Sequence, residues 1–301
     1  MMRIIEPGLR STVQDHGRRE HMRLGIPPSG PADPFAFRAA NALVDNDDDA
    51  AAIEVIGLPF SFTFDDRRVI AVTGRDASLT IRGRLPAWTS IFVRAGETVT
   101  LRGSARTRYA YVAVSGGVAT PPMLGSRAAY LPAGIGRTLR AGETLPLGTS
   151  ASGAHRAART VEAPVYDGQV RVIGGPHTER FTPDVLARFY DATFHVDETS
   201  DRQGTRLVGP PIVPRAGELL SCGVIEGAIQ VPRGGAPIVL LADHQTTGGY
   251  PVIATVIEAD LGKVAQAVPG EALRFYRAGR REALDALRAD LRALDGLRPT
   301  A

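Results

Sequence analysis

Between residues 53 and 114 the chain carries seven short apolar or β-branched runs, at 53–56, 60–64, 69–73, 79–81, 90–93, 98–101 and 110–114. Turns with glycine or Asp-Asp separate them. Runs this short cannot form helices with a buried stripe, and their cadence predicts the strands of a barrel or sandwich. The second half repeats the pattern at 170–173, 193–196, 219–224, 229–231, 238–241, 252–257 and 273–276. Each half therefore reads as several strands with one or two helices, and closing each into a barrel would leave no exposed sheet edge.

Helices are signalled at three places. Asp33 can cap free N–H groups while Pro34 occupies the first helical position, and Phe35, Ala39 and Leu43 follow at helical spacing, which predicts a helix over 34–44. Thr182 and Pro183 repeat the signal, with Phe181, Val185, Leu186 and Phe189 on one face. Leu284, Leu287, Leu291 and Leu294 predict a helix over 279–297 that packs on its own domain, two heptads being too few for a coiled coil. Residues 8–19 read as a polar loop, and 25–34 are too rich in proline for regular structure. Linker composition over 149–163 sets the expected domains: an N-terminal half at 1–150, a C-terminal half at 164–278, and a helix and tail at 279–301.

Composition removes several functions. The net charge is +3 over 301 residues and Lys263 is the sole lysine. The arginines are scattered, with no basic run of five and no interleaved aromatics, which argues against a nucleic-acid partner. One cysteine, Cys222, excludes an intramolecular disulfide or a Cys-x-x-Cys motif and makes the cytoplasm the default compartment. The opening Met-Met-Arg-Ile-Ile-Glu-Pro has no apolar core of a secretory leader, and no run of eighteen apolar residues occurs, so neither secretion nor membrane spanning is expected.

Common catalytic signatures are absent as well. There is no Walker loop, no Gly-x-Ser-x-Gly elbow, no His-Glu-x-x-His and no dinucleotide fingerprint. No two of the six histidines stand three or four apart, so no metal site is expected. What remains is the polar stretch Ala-Asp-His-Gln-Thr-Thr-Gly-Gly-Tyr-Pro at 242–251, set between two strand-like runs. It reads either as a hairpin turn, with Gly248 and Gly249 supplying positive φ, or as a working loop. The density of reactive groups favours the working loop. Two further polar clusters stand out. Arg202 and Arg206 either fork onto an anion or pair with Asp201 in a turn. Gln230, inside an otherwise apolar run, needs partners from the fold or from a ligand.

Several segments then resemble a known family. They are Thr12-Val13-Gln14-Asp15-x-Gly17-Arg18, Gly25-Ile26-Pro27-Pro28-Ser29-Gly30, Ala40-Asn41-x-Leu43-Val44-x-Asn46, Leu124-Gly125-Ser126-Arg127, Ser200-Asp201-Arg202-x-Gly204-x-Arg206-Leu207, Gly227-Ala228-Ile229-Gln230-Val231-Pro232 and Asp243-x-Gln245-Thr246-Thr247-Gly248-Gly249-Tyr250-Pro251. In this order, across about residues 3 to 277, they resemble the C subunit of bacterial 5-oxoprolinase. The same family is described as the Kip antagonist, as allophanate hydrolase subunit 2 and as part of the carboxyltransferase domain of urea carboxylase.

The resemblance implies a mainly β fold of two cyclophilin-like β-barrel halves, with a few short helices and a C-terminal helix. It also implies a heteromer with a partner B subunit, joined in the oxoprolinase system by an A subunit. With ATP as cofactor, that complex opens the lactam 5-oxoproline to glutamate. Two alternatives stay open: carboxyl transfer from carboxybiotin to urea or a related amide, the only reading that involves biotin, and a regulatory module that binds a partner. The chain has no biotinyl-lysine motif, so a carboxylase would need other polypeptides.

On the matched positions the expected roles are these. Asp243 transfers a proton, the N–H groups of Gly248 and Gly249 hold developing negative charge, Gln245 and Gln230 read an amide or ureido edge, and Arg202 with Arg206 holds an anion. Gln14, Asp15, Arg18, Ser29, Asn41, Asp201, Thr246, Thr247 and Tyr250 are expected to contact the substrate. The chain departs from the usual pattern at His16 and His244, at Pro31-Ala32, and at Ala128-Ala129, where a Ser-Thr pair is common.

Overall fold

A computed structural model describes residues 1–150 and 157–297; residues 151–156 of the expected linker, with His155, lie outside the described residues, as do 298–301. The chain groups into two compact units. One comprises Met1–Arg18, Ser29–Pro164 and Asp290–Ala301; the other comprises Arg19–Pro28 and Val165–Ala289. Segment 19–28 thus groups with the second unit, although the sequence reading assigns it to the N-terminal half.

The first unit contains β1 (Met2–Pro7), β2 (Arg10–Gln14), α1 (Pro34–Leu43), β3 (Ala52–Ile56), β4 (Phe60–Phe64), β5 (Arg68–Gly74), β6 (Ser78–Thr80), β7 (Arg84–Pro86), β8 (Thr89–Val93), β9 (Val99–Arg102), β10 (Ala110–Val114) and β11 (Thr144–Leu145). They form two sheets in the orders β11-β1-β4-β9-β6-β7 and β2-β3-β10-β5-β8. Phe60, Phe62 and Phe64 alternate onto one face of β4, with ring centroids 5.7 and 5.3 Å apart. They share one core with Ile53, Val55, Ile70, Val72 and Val112 of the other sheet. Burying each such ring contributes about 1.5–3 kcal/mol.

Every residue of β5 and β10 is buried, because α1 covers the remaining face of that sheet. Thr73 Oγ1 donates to Ala36 O at 2.7 Å, and Phe37 meets Tyr111 edge-on at 6.0 Å. The helix starts where the sequence predicts: Asp33 Oδ1 accepts the Ala36 N–H at 3.1 Å, just before Pro34. Strand β2 corrects the reading of 8–19 as a loop. It pairs antiparallel with β3, Thr12 opposite Glu54. Its polar side chains find partners in place, Ser11 Oγ on Pro7 O at 2.6 Å and Gln14 Nε2 on Thr12 Oγ1 at 3.0 Å, so polarity there does not mean exposure.

The second unit contains β12 (Gln169–Gly174), α2 (Pro183–Asp191), β13 (Phe194–Val196), β14 (Gly204–Val208), β15 (Cys222–Gly223), β16 (Ala228–Gln230), β17 (Ile238–Leu240), β18 (Thr247–Gly248), β19 (Val252–Val256), α3 (Leu261–Gln266), β20 (Ala272–Arg277) and most of α4 (Arg280–Asp295). Seven strands close a barrel in the order β12-β19-β16-β17-β14-β13-β20, and β15 with β18 makes a separate ribbon. Helix α2, capped by Thr182 Oγ1 on the Val185 N–H at 3.4 Å, stacks Phe189 on Phe275 at 5.0 Å. Along α4 the predicted leucine stripe is only partly covered: Leu294 is buried, while Leu284 and Leu291 are exposed.

The architecture is mainly β with short helices and a C-terminal helix, as expected, the strands closing into a barrel in the second unit and forming two sheets in the first. Among the described residues no helix is long and apolar enough to cross a membrane.

Candidate functional site

Strands β17 and β19 flank the 242–251 loop but are not neighbours. Strand β16 runs between them, with Gln230 opposite Ile238 on one side and Val252 on the other. The hairpin reading therefore fails, since the loop must pass the end of β16 where Gln230 sits. Backbone bonds tie the loop's first residues to the turn before β14: Leu241 N to Gln203 O at 3.0 Å and Asp243 N to Arg202 O at 2.9 Å.

The same turn supplies a buried ion pair. Arg202 Nε donates to Asp243 Oδ2 at 2.9 Å and its Nη2 donates to Oδ1 at 3.1 Å. The residues are 7% and 6% exposed. This fork-on-fork contact engages both oxygens of Asp243, so the expected proton-transfer role does not suit that carboxylate. Arg206 is exposed on β14 between buried Thr205 and Leu207, so it does not share the setting of Arg202. Asp201 pairs with neither arginine; its Oδ1 accepts the N–H groups of Gln203 and Gly204 at 2.8 and 3.4 Å and closes a local turn.

Two carboxamides meet at the end of β16. Gln245, exposed on the loop, donates from Nε2 to Oε1 of buried Gln230 at 2.8 Å. Gln230 Nε2 has no hydrogen-bond partner among the described residues. A buried amide left unpaired costs about 1–3 kcal/mol, and a ligand acceptor would remove that cost. Apart from the second N–H of exposed Gln245, the linked pair retains the amide nitrogen of Gln230 as a donor group and the oxygen of Gln245 as an acceptor. Exchanging oxygen and nitrogen in both amides would keep a free donor and a free acceptor on the pair but swap which residue carries each.

The glycines have other reasons than those the sequence suggests. Neither Gly248 nor Gly249 has a left-handed φ. A Cβ on Gly248 would overlap Gln230 Nε2, so glycine there makes room for the amide. Val224 N–H donates to Thr246 O at 3.1 Å. In an antiparallel pair that bond makes Cys222 and Gly248, two residues along, the hydrogen-bonded pair of the β15–β18 ribbon. The Gly248 N–H is thus committed to the ribbon and does not suit the expected anion-holding role. Gly249, Thr247 and Tyr250 are exposed and Thr246 is half-buried. His244 is buried, its Nδ1 2.6 Å from Gln245 O, and burial pushes its imidazole below the ordinary pKa.

Sequence reasoning missed Glu226. Burial pushes its carboxyl up to about 7, against the nearby guanidinium groups of Arg19 and Arg202 and with the help of Glu258 and Asp243. Its Oε1 is buried without a hydrogen-bond partner among the described residues. A carboxyl that titrates near neutrality is suited to proton transfer. The available signal was an acid placed directly before the apolar run that carries Gln230.

The remaining candidates, Gln14, Asp15, Arg18, Ser29 and Asn41, belong to the first unit. Asp15 is a structural clamp: Oδ1 accepts from Ser126 Oγ at 2.5 Å and from Gly17 N at 2.9 Å, and Oδ2 accepts from Arg127 N at 2.5 Å. Gln14 Nε2 reaches Ala129 O at 3.3 Å, and Arg18 Nη2 donates to Ala128 O. Gln14 Oε1 and Ser29 Oγ are buried without hydrogen-bond partners among the described residues. Asn41, fully buried, donates from Nδ2 to Ala50 O and accepts from Asn46 Nδ2, both at 2.9 Å. These contacts give Asn41 a framework role in place of the expected substrate contact.

Comparison with known proteins places the whole chain among relatives. The chain is 36% identical over 294 residues to the C subunit of the 5-oxoprolinase of Escherichia coli, covering 95% of this chain and 94% of that protein. It is 31% identical to the urea amidolyase of Saccharomyces cerevisiae over 90% of this chain but only 16% of that much longer protein. The crystal structure of the K. lactis urea amidolyase superposes with a TM-score of 0.87 at 28% identity, covering 99% of this chain and 20% of that one. Residues 24–277 match the family model of the carboxyltransferase domain, subdomains A and B, and the chain belongs to that family.

Proposed function

We propose that the protein is a cytoplasmic subunit of an ATP-dependent 5-oxoprolinase that opens 5-oxoproline to glutamate together with homologues of the B and A subunits. The observation that carries this reading is the donor and acceptor left by the Gln245–Gln230 pair. A lactam holds its N–H and C=O side by side in the cis arrangement, so one edge offers one donor and one acceptor. The Gln230 amide donates to the lactam oxygen, where negative charge develops as water adds, and the Gln245 oxygen accepts the lactam N–H. Ring opening breaks the C–N bond, forms a C–O bond from water, and requires a proton on the departing nitrogen. Glu226, whose carboxyl burial pushes up to about 7, is assigned as the proton carrier in this reading. The near-full-length likeness to proteins named as the C subunit of 5-oxoprolinase supports a role in an assembly.

ATP would supply the driving force by activating the carbonyl oxygen. The loop of this chain does not fit a triphosphate cradle, since the Gly248 N–H is committed and its Cβ position is filled by Gln230. We therefore assign the nucleotide to the partner subunits. The urea amidolyase relatives favour a second reading, carboxyl transfer from carboxybiotin to urea, whose edge presents the same N–H and C=O. The test is to copurify the chain with its B and A homologues and assay ATP hydrolysis. Hydrolysis that depends on 5-oxoproline supports the first reading; urea consumption that depends on carboxybiotin moves the assignment to the second.

A further inference from the structure

We infer that the first unit carries a second binding site, a pocket for a small monoanion with a short aliphatic body. A cavity of about 210 Å³ opens beside the 120–145 segment, smaller than the sites that hold drug-sized ligands and so suited to a ligand of few heavy atoms. Its wall is largely apolar, with Val13, Ala128, Ala129, Ile135, Leu139 and Leu145 among the lining residues. Its charged lining consists of Arg127, Arg137 and Glu143, two cations against one anion.

Arg127 is held for this task. Its backbone N–H is fixed by Asp15 and its Nε donates to Thr120 O at 2.7 Å. The two terminal guanidinium nitrogens have no hydrogen-bond partner among the described residues. That leaves the planar edge that recognises a carboxylate in two-point fashion. Arg137 is exposed and paired with Glu143, whose second oxygen accepts the Arg140 N–H at 3.1 Å. An incoming carboxylate competes with Glu143 for Arg137, while its hydrocarbon tail displaces water from the apolar wall.

Isothermal titration of the full chain with hexanoate, hexan-1-ol and hexylamine tests the site. Saturable hexanoate binding is expected, with at least tenfold weaker binding of the alcohol and none of the amine. Arg127→Gln and Arg137→Gln each weaken hexanoate at least tenfold, and Glu143→Gln, which removes the competing anion, tightens it severalfold. Should Arg127→Gln unfold through loss of the Thr120 anchor, the exposed Arg137 variant decides. Gln230→Leu leaves hexanoate binding unchanged, which separates this site from the amide-reading pair. Equal binding of alcohol and acid, no hexanoate binding at millimolar concentration, or weaker binding by Glu143→Gln overturns the inference.

Discussion

Gln245 donates its side-chain amide to Gln230 at 2.8 Å, and that bond joins the end of a barrel strand to the loop that passes it. Gly248 depends on the contact: a methyl group there would occupy the space of the Gln230 Nε2. Gly248→Ala is therefore expected to leave the barrel folded while breaking the amide pair. Circular dichroism should show native strand content, and kcat/KM for 5-oxoproline in the reconstituted complex should fall about 10- to 100-fold, equivalent to about 1–3 kcal/mol.

The Arg202–Asp243 pair is a test of stability rather than chemistry. Removing one partner leaves a buried charge uncompensated and costs about 3–5 kcal/mol. Arg202→Ala and Asp243→Ala should each show this loss in urea denaturation. The double variant Arg202→Met with Asp243→Leu should lose less than either single change, because no isolated charge remains.

Glu226 predicts a pH dependence of defined sign. Its folded pKa of about 7 lies above the ordinary 4.5, so the folded state binds the proton more tightly than the unfolded one. Stability from this group is complete below about 4.5 and is lost as pH rises through 7, by no more than about 3 kcal/mol. Glu226→Gln should remove that slope from denaturation curves measured between pH 4.5 and 8. If the protonated acid serves ring opening, the same variant should also flatten the fall of kcat above pH 7.

Asn41→Leu should separate framework from site. The side chain has its partners in Ala50 and Asn46, and Asn46 in turn holds Val114 O and Gly116 N at 2.9 and 2.8 Å. Thermal unfolding should report a loss of about 1–3 kcal/mol, with KM for substrate unchanged.

The strand cadence and the capping pairs at Asp33 and Thr182 were legible in the sequence because local patterns decide them. The pairing of Arg202 with Asp243 was not, although both were singled out, because a contact across 41 positions is set by barrel order rather than spacing. The two glycines were visible as glycines, yet the reason for Gly248 is an amide on another strand. Short elements such as β7, β11 and β18 carry too few residues for a period to show. Glu226 escaped because a raised pKa comes from what surrounds a carboxyl, which a lone acid in a sequence does not reveal.

The central claim is that the Gln230–Gln245 edge reads an amide, and the most direct measurement is kcat/KM of the reconstituted complex for 5-oxoproline with wild-type chain and with Gln230→Leu. A site built to hydrogen-bond a substrate discriminates strongly against loss of a partner. We predict a fall of at least about 100-fold with native circular dichroism and unchanged copurification of the partners. A folded Gln230→Leu chain whose complex turns over 5-oxoproline at the wild-type rate would contradict the account.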